Sequence, residues 1–371
     1  MRLRPTLRLL HAAAFGALLL GALLERVHTH PGGGTLWRIA VMPDTQKYTL
    51  GALGAGMPGA YPEYYGLHLQ TQADVLAAVH DAVDIAFVLH EGDIVESQYL
   101  YDPVLKPNPA TDEWAFARAE MAKLDGKVGW CAAAGNHDLS YPGAPLDLTP
   151  DASEYLAHFG PAAYAGQPGY VGSSASGRGH AHVFPGGPYD FLSLVLPFEP
   201  SDAELAWAQT TLDANPCLPA VLTTHAYLRN LPGYQGHSPD ALTPGGNSGV
   251  DIWEKLVRPN EQLFLVFGGH YHQGTTVFNS GEYHQVSTND AGLPVYEMLA
   301  NYQDLPEGGS GFLRIVSFEI GAGAPDRISV LTYSTSHPSW WVLMNDADSL
   351  FSFDLDFSSR FGLCDGGGAP R

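Results

Sequence analysis

Five short polar segments each follow an apolar run of strand length: Pro43-Asp44-Thr45-Gln46, Gly92-Asp93, Gly135-Asn136-His137-Asp138, Thr224-His225 and Gly269-His270-Tyr271-His272. The runs are Trp37–Met42, Ile85–Leu89, Val128–Ala134, Pro219–Thr223 and Leu263–Phe267. Continuous apolar runs of this length are read as strands buried on both faces. The polar residues then fall on loops at strand ends, where open α/β sheets place their chemistry. Any one of these segments occurs by chance, Gly-Asp above all. Carboxylate, amide and imidazole groups converging from five separate strands instead point to one two-metal site.

The intervening stretches predict helices near Leu67–Val83, Asp112–Leu124, Ser153–Phe159 and Asp202–Leu212, which gives a βαβ alternation. Phe312–Glu319, Arg327–Thr332 and Phe351–Phe357 alternate apolar with polar residues and predict further strands. Gly- and Pro-rich stretches at Gly51–Pro62, Tyr141–Pro150, Pro161–Pro188 and Leu231–Gly249 read as long surface loops. No internal repeat is present. The motifs run from residue 44 to residue 272, so no domain boundary is expected between them. We therefore expect a leader over residues 1–30, one domain over 35–335, and a strand-containing extension of that domain over 336–371.

The motif order D-x-[H/Q], G-D, G-N-H-[D/E], H, G-H-x-H resembles the calcineurin-like metallophosphoesterase superfamily, over about Ala40 to Tyr333. Within it the chain is similar to a bacterial branch whose first motif is D-T-Q. The stretch Val295–Gln303, with Gly309–Arg314, looks like that branch's own signature. The resemblance implies an α/β fold of two sheets flanked by helices, a four-layer αββα sandwich.

Carried over residue by residue, the resemblance implies one ion held by Asp44, Gln46, Asp93 and His272, and a second held by Asp93, Asn136, His225 and His270. Asp93 bridges in this scheme, and its charge offsets the repulsion between the ions. A mixed N/O shell suits divalent or trivalent transition metals such as Mn, Fe, Zn or Co. Gln46 stands where the family more usually has His. As an amide oxygen ligand it weakens the first site or shifts it toward Mn or Fe; alternatively it only hydrogen-bonds to the ligands. Two ions about 3.5–4 Å apart acidify a bridging water for in-line attack on phosphorus. The implied function is hydrolysis of phosphomonoesters or phosphodiesters by that hydroxide. The resemblance implies His137 as the general acid for the leaving group, with Asp138 beside it as the expected support. A competing reading is a catalytically silent metal-containing binding protein of the cell surface, against which the intact His137 argues.

Arg2, Arg4 and Arg8 followed by the apolar run Ala12–Leu24 read as a secretory leader too short for a membrane span. The expected location is secreted or periplasmic. No small-x-small cleavage site follows Leu24, so an uncleaved N-terminal anchor stays open. The formal charge is −21, and nucleic acid is therefore not expected as a partner, whereas a small phosphoester is. Cys131, Cys217 and Cys364 allow one disulfide and contain no C-x-x-C pair, which removes a thiolate-held structural zinc. Cys131 and Cys217 read as small buried hydrophobes.

Other candidates have plainer readings. His180 and His182 are expected to face solvent, and His80 and His90 to pack in helix and strand. His68 is the best of these for substrate contact, because Tyr48, Tyr61, Tyr64 and Tyr65 lie in the same stretch. These tyrosines, with Tyr99 and Tyr101, either wall a pocket for a leaving group or pack their loops. Arg229 and Asn230 either steady a phosphate oxygen or serve the surface.

Overall fold

Strand β1 (Thr35–Met42) is buried on both faces over its last six residues. Trp37, Ile39 and Val41 enter one apolar cluster, while Ala40 and Met42 enter another on the opposite face. In the computed structural model, which describes residues 34–52, 65–96, 111–140, 149–272, 281–321, 325–336 and 343–362, this strand is central to the first of two large sheets.

The first sheet also contains β2 (Ile85–His90) and β3 (Gly129–Ala132), parallel to β1. The second contains β4 (Tyr170–Ser173), β5 (His180–Gly186), β6 (Tyr189–Val195) and β7 (Ala220–Thr223). The strands β8 (Leu228–Leu231) and β9 (Tyr234–His237) form a separate hairpin. The chain then adds β10 (Leu263–Gly268), β11 (Glu282–Thr288) and β12 (Pro294–Ala300) to the second sheet. It returns to the first with β13 (Phe312–Ile320), β14 (Asp326–Ser334) and β15 (Leu350–Leu355). The orders are β15-β14-β13-β1-β2-β3 and β11-β12-β10-β7-β6-β5-β4.

The sheets pack face to face through Trp37, Phe87, Leu89 and Phe318 from one and Phe184, Phe191, Phe267 and Met298 from the other. Trp37 stacks on Phe318 with ring centroids 4.1 Å apart and lies 4.6 Å from Phe191. Helices α1 (Gln46–Ala52), α2 (Gly66–Val79), α3 (Thr111–Met121), α4 (Ser153–Phe159) and α5 (Pro161–Tyr164) belong to the first half of the chain, and α6 (Asp202–Ala214) to the second. Leu69, Val75 and Leu76 of α2 and Trp114 of α3 cover the outer face of the first sheet. Leu205, Ala208 and Leu212 of α6 cover the second. The result is helix, sheet, sheet, helix, the architecture expected. β15 lies within the expected C-terminal extension and pairs with β14 through Ile328↔Phe353 and its neighbours.

Three local expectations are corrected. Gln46 opens α1 instead of lying on a loop. Pro161–Pro188, read as a surface loop, contains α5, β4 and all of β5, and Leu231–Gly249 contains β9. Their glycines and prolines punctuate strands too short to show a period. Gly51–Pro62 beyond Ala52 and Tyr141–Pro150 before Thr149 lie outside the described residues, as do the leader, Tyr61, Tyr64, Tyr99 and Tyr101.

The third correction concerns His180 and His182, both fully buried. β3 is an edge strand of its sheet, and its free backbone groups need partners. Side chains supply them: Tyr155 Oη donates to the Ala132 carbonyl at 2.8 Å, His180 Nε2 donates to the same oxygen at 3.1 Å, and Ala132 N donates to Tyr164 Oη at 3.2 Å. His180 Nδ1 then accepts from His182 Nε2 at 3.0 Å. The pair follows from the need to close an edge.

Burial holds the His180 imidazole down to about 4, against about 6.5 in an unfolded chain. The folded state resists protonation there, so this contribution to stability is present above pH about 6.5 and is lost as pH falls toward about 4. His180→Gln keeps a donor but does not titrate. Its unfolding free energy, measured by urea titration across this window, is expected to fall with a slope smaller by about one proton than that of the parent protein.

Candidate metal centre

The C-terminal ends of β1, β2, β3, β7 and β10 deliver Asp44, Asp93, Asn136, His225 and His270 to one place. Ligand atoms of Asp93, His225 and His270 all lie within 4.8 Å of one another. Asn136 Oδ1 is 3.2 Å from His225 Nε2 and 2.7 Å from His270 Nδ1. Gln46 Nε2 donates to Asp93 Oδ2 at 3.0 Å, and His225 Nε2 is 3.2 Å from Asp93 Oδ1. Asp44 accepts from His270 N at 3.3 Å and from Asn301 Nδ2 at 2.8 Å.

Two residues of this cluster hold left-handed backbone, Asp93 at φ 50° and His270 at φ 67°. Such conformations are unfavourable for non-glycine residues and persist where surrounding bonds over-determine them. Thr45 N donates to the Asp93 carbonyl at 3.0 Å, and Asn301 Nδ2 donates to the His270 carbonyl at 3.0 Å. The glycines beside them are close-packed: a Cβ on Gly135 would lie 2.2 Å from Asp93 Oδ1, and one on Gly269 would lie 2.2 Å from Asp44 Oδ1.

Bonds around the cluster orient its ligand atoms. His225 Nδ1 donates to the Glu91 carbonyl at 2.8 Å, which fixes the tautomer that leaves Nε2 for a ligand. His90 Nδ1 accepts from Gly92 N at 3.1 Å, so its Nε2 carries the proton given to Thr45 Oγ1 at 2.9 Å. The packing residue expected at position 90 thus ties the first motif loop to the second. Asp138 fastens the second loop to the third, accepting from Gly135 N at 2.8 Å, Ile94 N at 2.9 Å and Val95 N at 3.1 Å. Burial and the Asp93 carboxylate push its acid up to about 8 against these amides.

The Asp138 carboxylate, expected to support His137, is taken up by these amides, and the group near His137 Nδ1 is Glu96. His137 N donates to Asp93 Oδ1 at 2.8 Å, and its Nδ1 lies 3.5 Å from the Glu96 carbonyl and 3.9 Å from the Glu96 carboxylate. Lys47 Nζ holds that carboxylate at 3.0 Å. His272 stands outside the 4.8 Å group, 39% exposed, with Nδ1 2.6 Å from Asp304 Oδ2.

Burial and mutual charge set the protonation of the cluster. Burial drives the Asp44 acid well upward, and neighbouring Asp93 adds to this. Burial acts the same way on Asp93, but His225 and His137 outweigh it and keep it ionised. Burial disfavours the charged form of His225, yet Asp93 and Asp44 overrule it and raise the imidazole to about 10. Burial and His225 lower His270 to about 3. The donor set fits a metal. Oxygen and nitrogen ligands are mixed, and Gln46 Oε1 is buried with no hydrogen-bond partner among the described residues.

Sequence reasoning missed Glu96, Asn301 and Gln303. The last two lie in the Val295–Gln303 stretch, and Gln303 Oε1 accepts from Gln46 Nε2 at 3.0 Å. His68 is turned to other work, with Nε2 3.0 Å from Glu307 and its ring 5.2 Å from Tyr48. Tyr48 itself is buried and accepts from Gly311 N at 3.0 Å. Asn230 donates to the Glu282 carbonyl at 2.7 Å.

The family described as calcineurin-like phosphoesterase matches residues 38–274. The chain is 27% identical over 310 residues to the uncharacterized protein YvnB of Bacillus subtilis, a match that covers 82% of this chain and 20% of YvnB. The chain therefore spans about a fifth of that relative's length. Among solved structures it is similar to a putative 5'-nucleotidase from Staphylococcus aureus, at 12% identity and a TM-score of 0.47, covering 85% of this chain and 57% of that one. It is also similar to the Haemophilus influenzae NAD nucleotidase, at 11% identity and a TM-score of 0.37, covering 88% and 55% respectively.

Gly269→Ala tests whether the Asp44 carboxylate belongs to the cluster. The added methyl meets Asp44 Oδ1 at 2.2 Å and no other atom closer than 3.3 Å, so displacing that carboxylate relieves the clash. Manganese affinity, read by titration of the metal-free protein, is expected to fall about 10–100-fold, with the folded state retained by circular dichroism.

Proposed function

We propose that this chain, which belongs to the calcineurin-like phosphoesterase family, hydrolyses small phosphomonoesters or phosphodiesters at the cluster of Asp93, Asn136, His225 and His270. The observation that carries this reading is the meeting of Asp93, His225 and His270 ligand atoms within 4.8 Å at the ends of strands from both sheets. Asp44, Gln46, Asp93 and His272 would hold one transition-metal ion, and Asp93, Asn136, His225 and His270 a second. His272 joins by leaving Asp304. When bound, such ions supply an acidified water and neutralise phosphate oxygens.

The chain's own residues do the rest. Asp93 stays ionised and anchors His137 through its main-chain N–H. Glu96, held by Lys47, faces His137 Nδ1, which directs the other ring nitrogen to the departing oxygen. His137 is 24% exposed, open enough to meet a substrate. In this reading it donates the leaving-group proton, and Glu96 positions it.

Basic residues ahead of the apolar run Ala12–Leu24 support a secreted or periplasmic location. Cys217 is disulfide-bonded, which suits an oxidising compartment. Among the described residues no helix is long and apolar enough to cross a membrane.

Two measurements test the assignment. A nitrophenolate leaves readily as an anion, whereas an alkoxide needs a proton, help typically worth about 10²–10⁴ in rate. His137→Ala is expected to slow alkyl phosphate hydrolysis far more than nitrophenyl phosphate hydrolysis in single turnovers, with metal content unchanged; equal losses would remove it from the general-acid role. Glu96→Gln is expected to give the same leaving-group pattern at about tenfold smaller size, and to shift the alkaline limb of the pH–rate profile, the limb on which a general acid loses its proton. A uniform loss with no such shift would reduce Glu96 to a packing residue.

A further inference from the structure

Arg229 is unusual among the described arginines. Arg38, Arg118, Arg178, Arg258, Arg314, Arg327 and Arg360 each reach a carbonyl or a carboxylate. Among the described residues Arg229 reaches neither. Its guanidinium carbon lies 5.5 Å from the centroid of the Tyr271 ring, and its Nε is enclosed with no hydrogen-bond partner. In a chain of −21 formal charge with 39 acidic residues, a half-buried arginine left without a counter-charge is an expensive placement.

The ring beside Arg229 belongs to a residue that sits between two candidate metal ligands. Arg229 lies on β8, four residues beyond His225. Tyr271 separates His270 from His272, and its ring centroid is 4.5 Å from that of His270. The Tyr271 hydroxyl bonds to the side chain of buried Ser238, and its ring packs against two of the apolar clusters. A flat guanidinium against this fixed ring spends its stem on stacking and keeps its fork of N–H donors for a planar pair of oxygens. Carboxylate and phosphate are the groups that match such a fork.

We propose that Arg229 is the anion-recognition residue of this site and selects a terminal phosphate, that is, a phosphomonoester over a phosphodiester. The choice of substrate class rests on the phosphoesterase reading above. A monoester near neutral pH carries close to two charges on three terminal oxygens. A diester carries one charge on two. The guanidinium therefore contributes most when the phosphate is terminal.

The experiment uses the manganese-loaded protein with Arg229→Met, which keeps an apolar stem over Tyr271, and Arg229→Lys, which keeps a charge without the fork. Inorganic phosphate is titrated calorimetrically into each. kcat/KM is measured for phenyl phosphate and for the diester of phenyl and methyl phosphate. Arg229→Met is expected to weaken phosphate binding about 10–100-fold and to lower kcat/KM for the monoester by a similar factor, the range of a charged hydrogen bond. The diester is expected to lose far less, and Arg229→Lys to fall between. Unchanged phosphate affinity in a variant with normal metal content and melting temperature would overturn the proposal, as would equal losses on the two esters. Wild-type protein that hydrolyses neither ester would count against the phosphoesterase reading, and the phosphate titration alone would then decide the role of Arg229. If Arg229→Met does not fold, the same comparison with Arg229→Lys decides it.

Discussion

The interactions of one buried carboxylate, Asp93, hold the functional end of this protein together. Its side chain takes a donor from Gln46, the main-chain N–H of His137 and a contact from His225, while its own carbonyl receives Thr45 N. Four of the five motif loops therefore meet at one residue, and that residue sits in left-handed backbone. A carboxylate so enclosed needs positive charge, and burial makes the need acute. His225 answers it by holding a proton well above the usual imidazole range, to about 10.

The cluster also depends on how the two sheets are fastened. Asp44, Asp93 and Asn136 come from the first sheet, His225 and His270 from the second, so neither sheet contains the site alone. Trp37 and Phe318 against Phe191 supply non-directional apolar burial between the layers. Arg314 on β13 supplies direction. It reaches Glu282 on β11 at 3.2 Å and Tyr302 at 3.0 Å, with both charged side chains sealed from solvent. A buried ion pair adds little net stability, yet it penalises any misaligned packing that would leave either charge alone. Register between the sheets, and with it the spacing of the ligands, is the consequence.

Loops that carry the motif residues are in turn bound to one another by residues outside the cluster. His90 joins the first loop to the second, and Asp138 joins the second to the third. Asn301 reaches both Asp44 and the carbonyl of His270, and so links the first sheet to the second at the level of the site. These supports explain why a set of surface-facing loops is almost wholly buried and why its glycines tolerate no side chain.

Much of this was legible in the chain itself. Strands β1, β2, β7 and β10 are apolar on both faces, and a two-sided apolar run ending in a polar pair is a local pattern that needs no partner to be read. The convergence of Asp44, Asp93, Asn136, His225 and His270 on one place was expected from that pattern and the resemblance it supports. What the sequence by itself could not determine depends on neighbours distant along the chain. Asp138 stands next to His137, and adjacency suggested a pair; the turn through Asn136–Asp138 sends the two side chains to different places, and Glu96 comes near His137 from another loop. His180 and His182 alternate as a solvent-facing strand would, and only the open edge of β3 across the interface makes both of them interior. Arg229 carries no signal in its own neighbourhood. Its lack of a counter-charge is a property of everything packed around it, which only the tertiary structure decides, because short-range sequence sets which groups a residue offers and long-range packing sets which groups it meets.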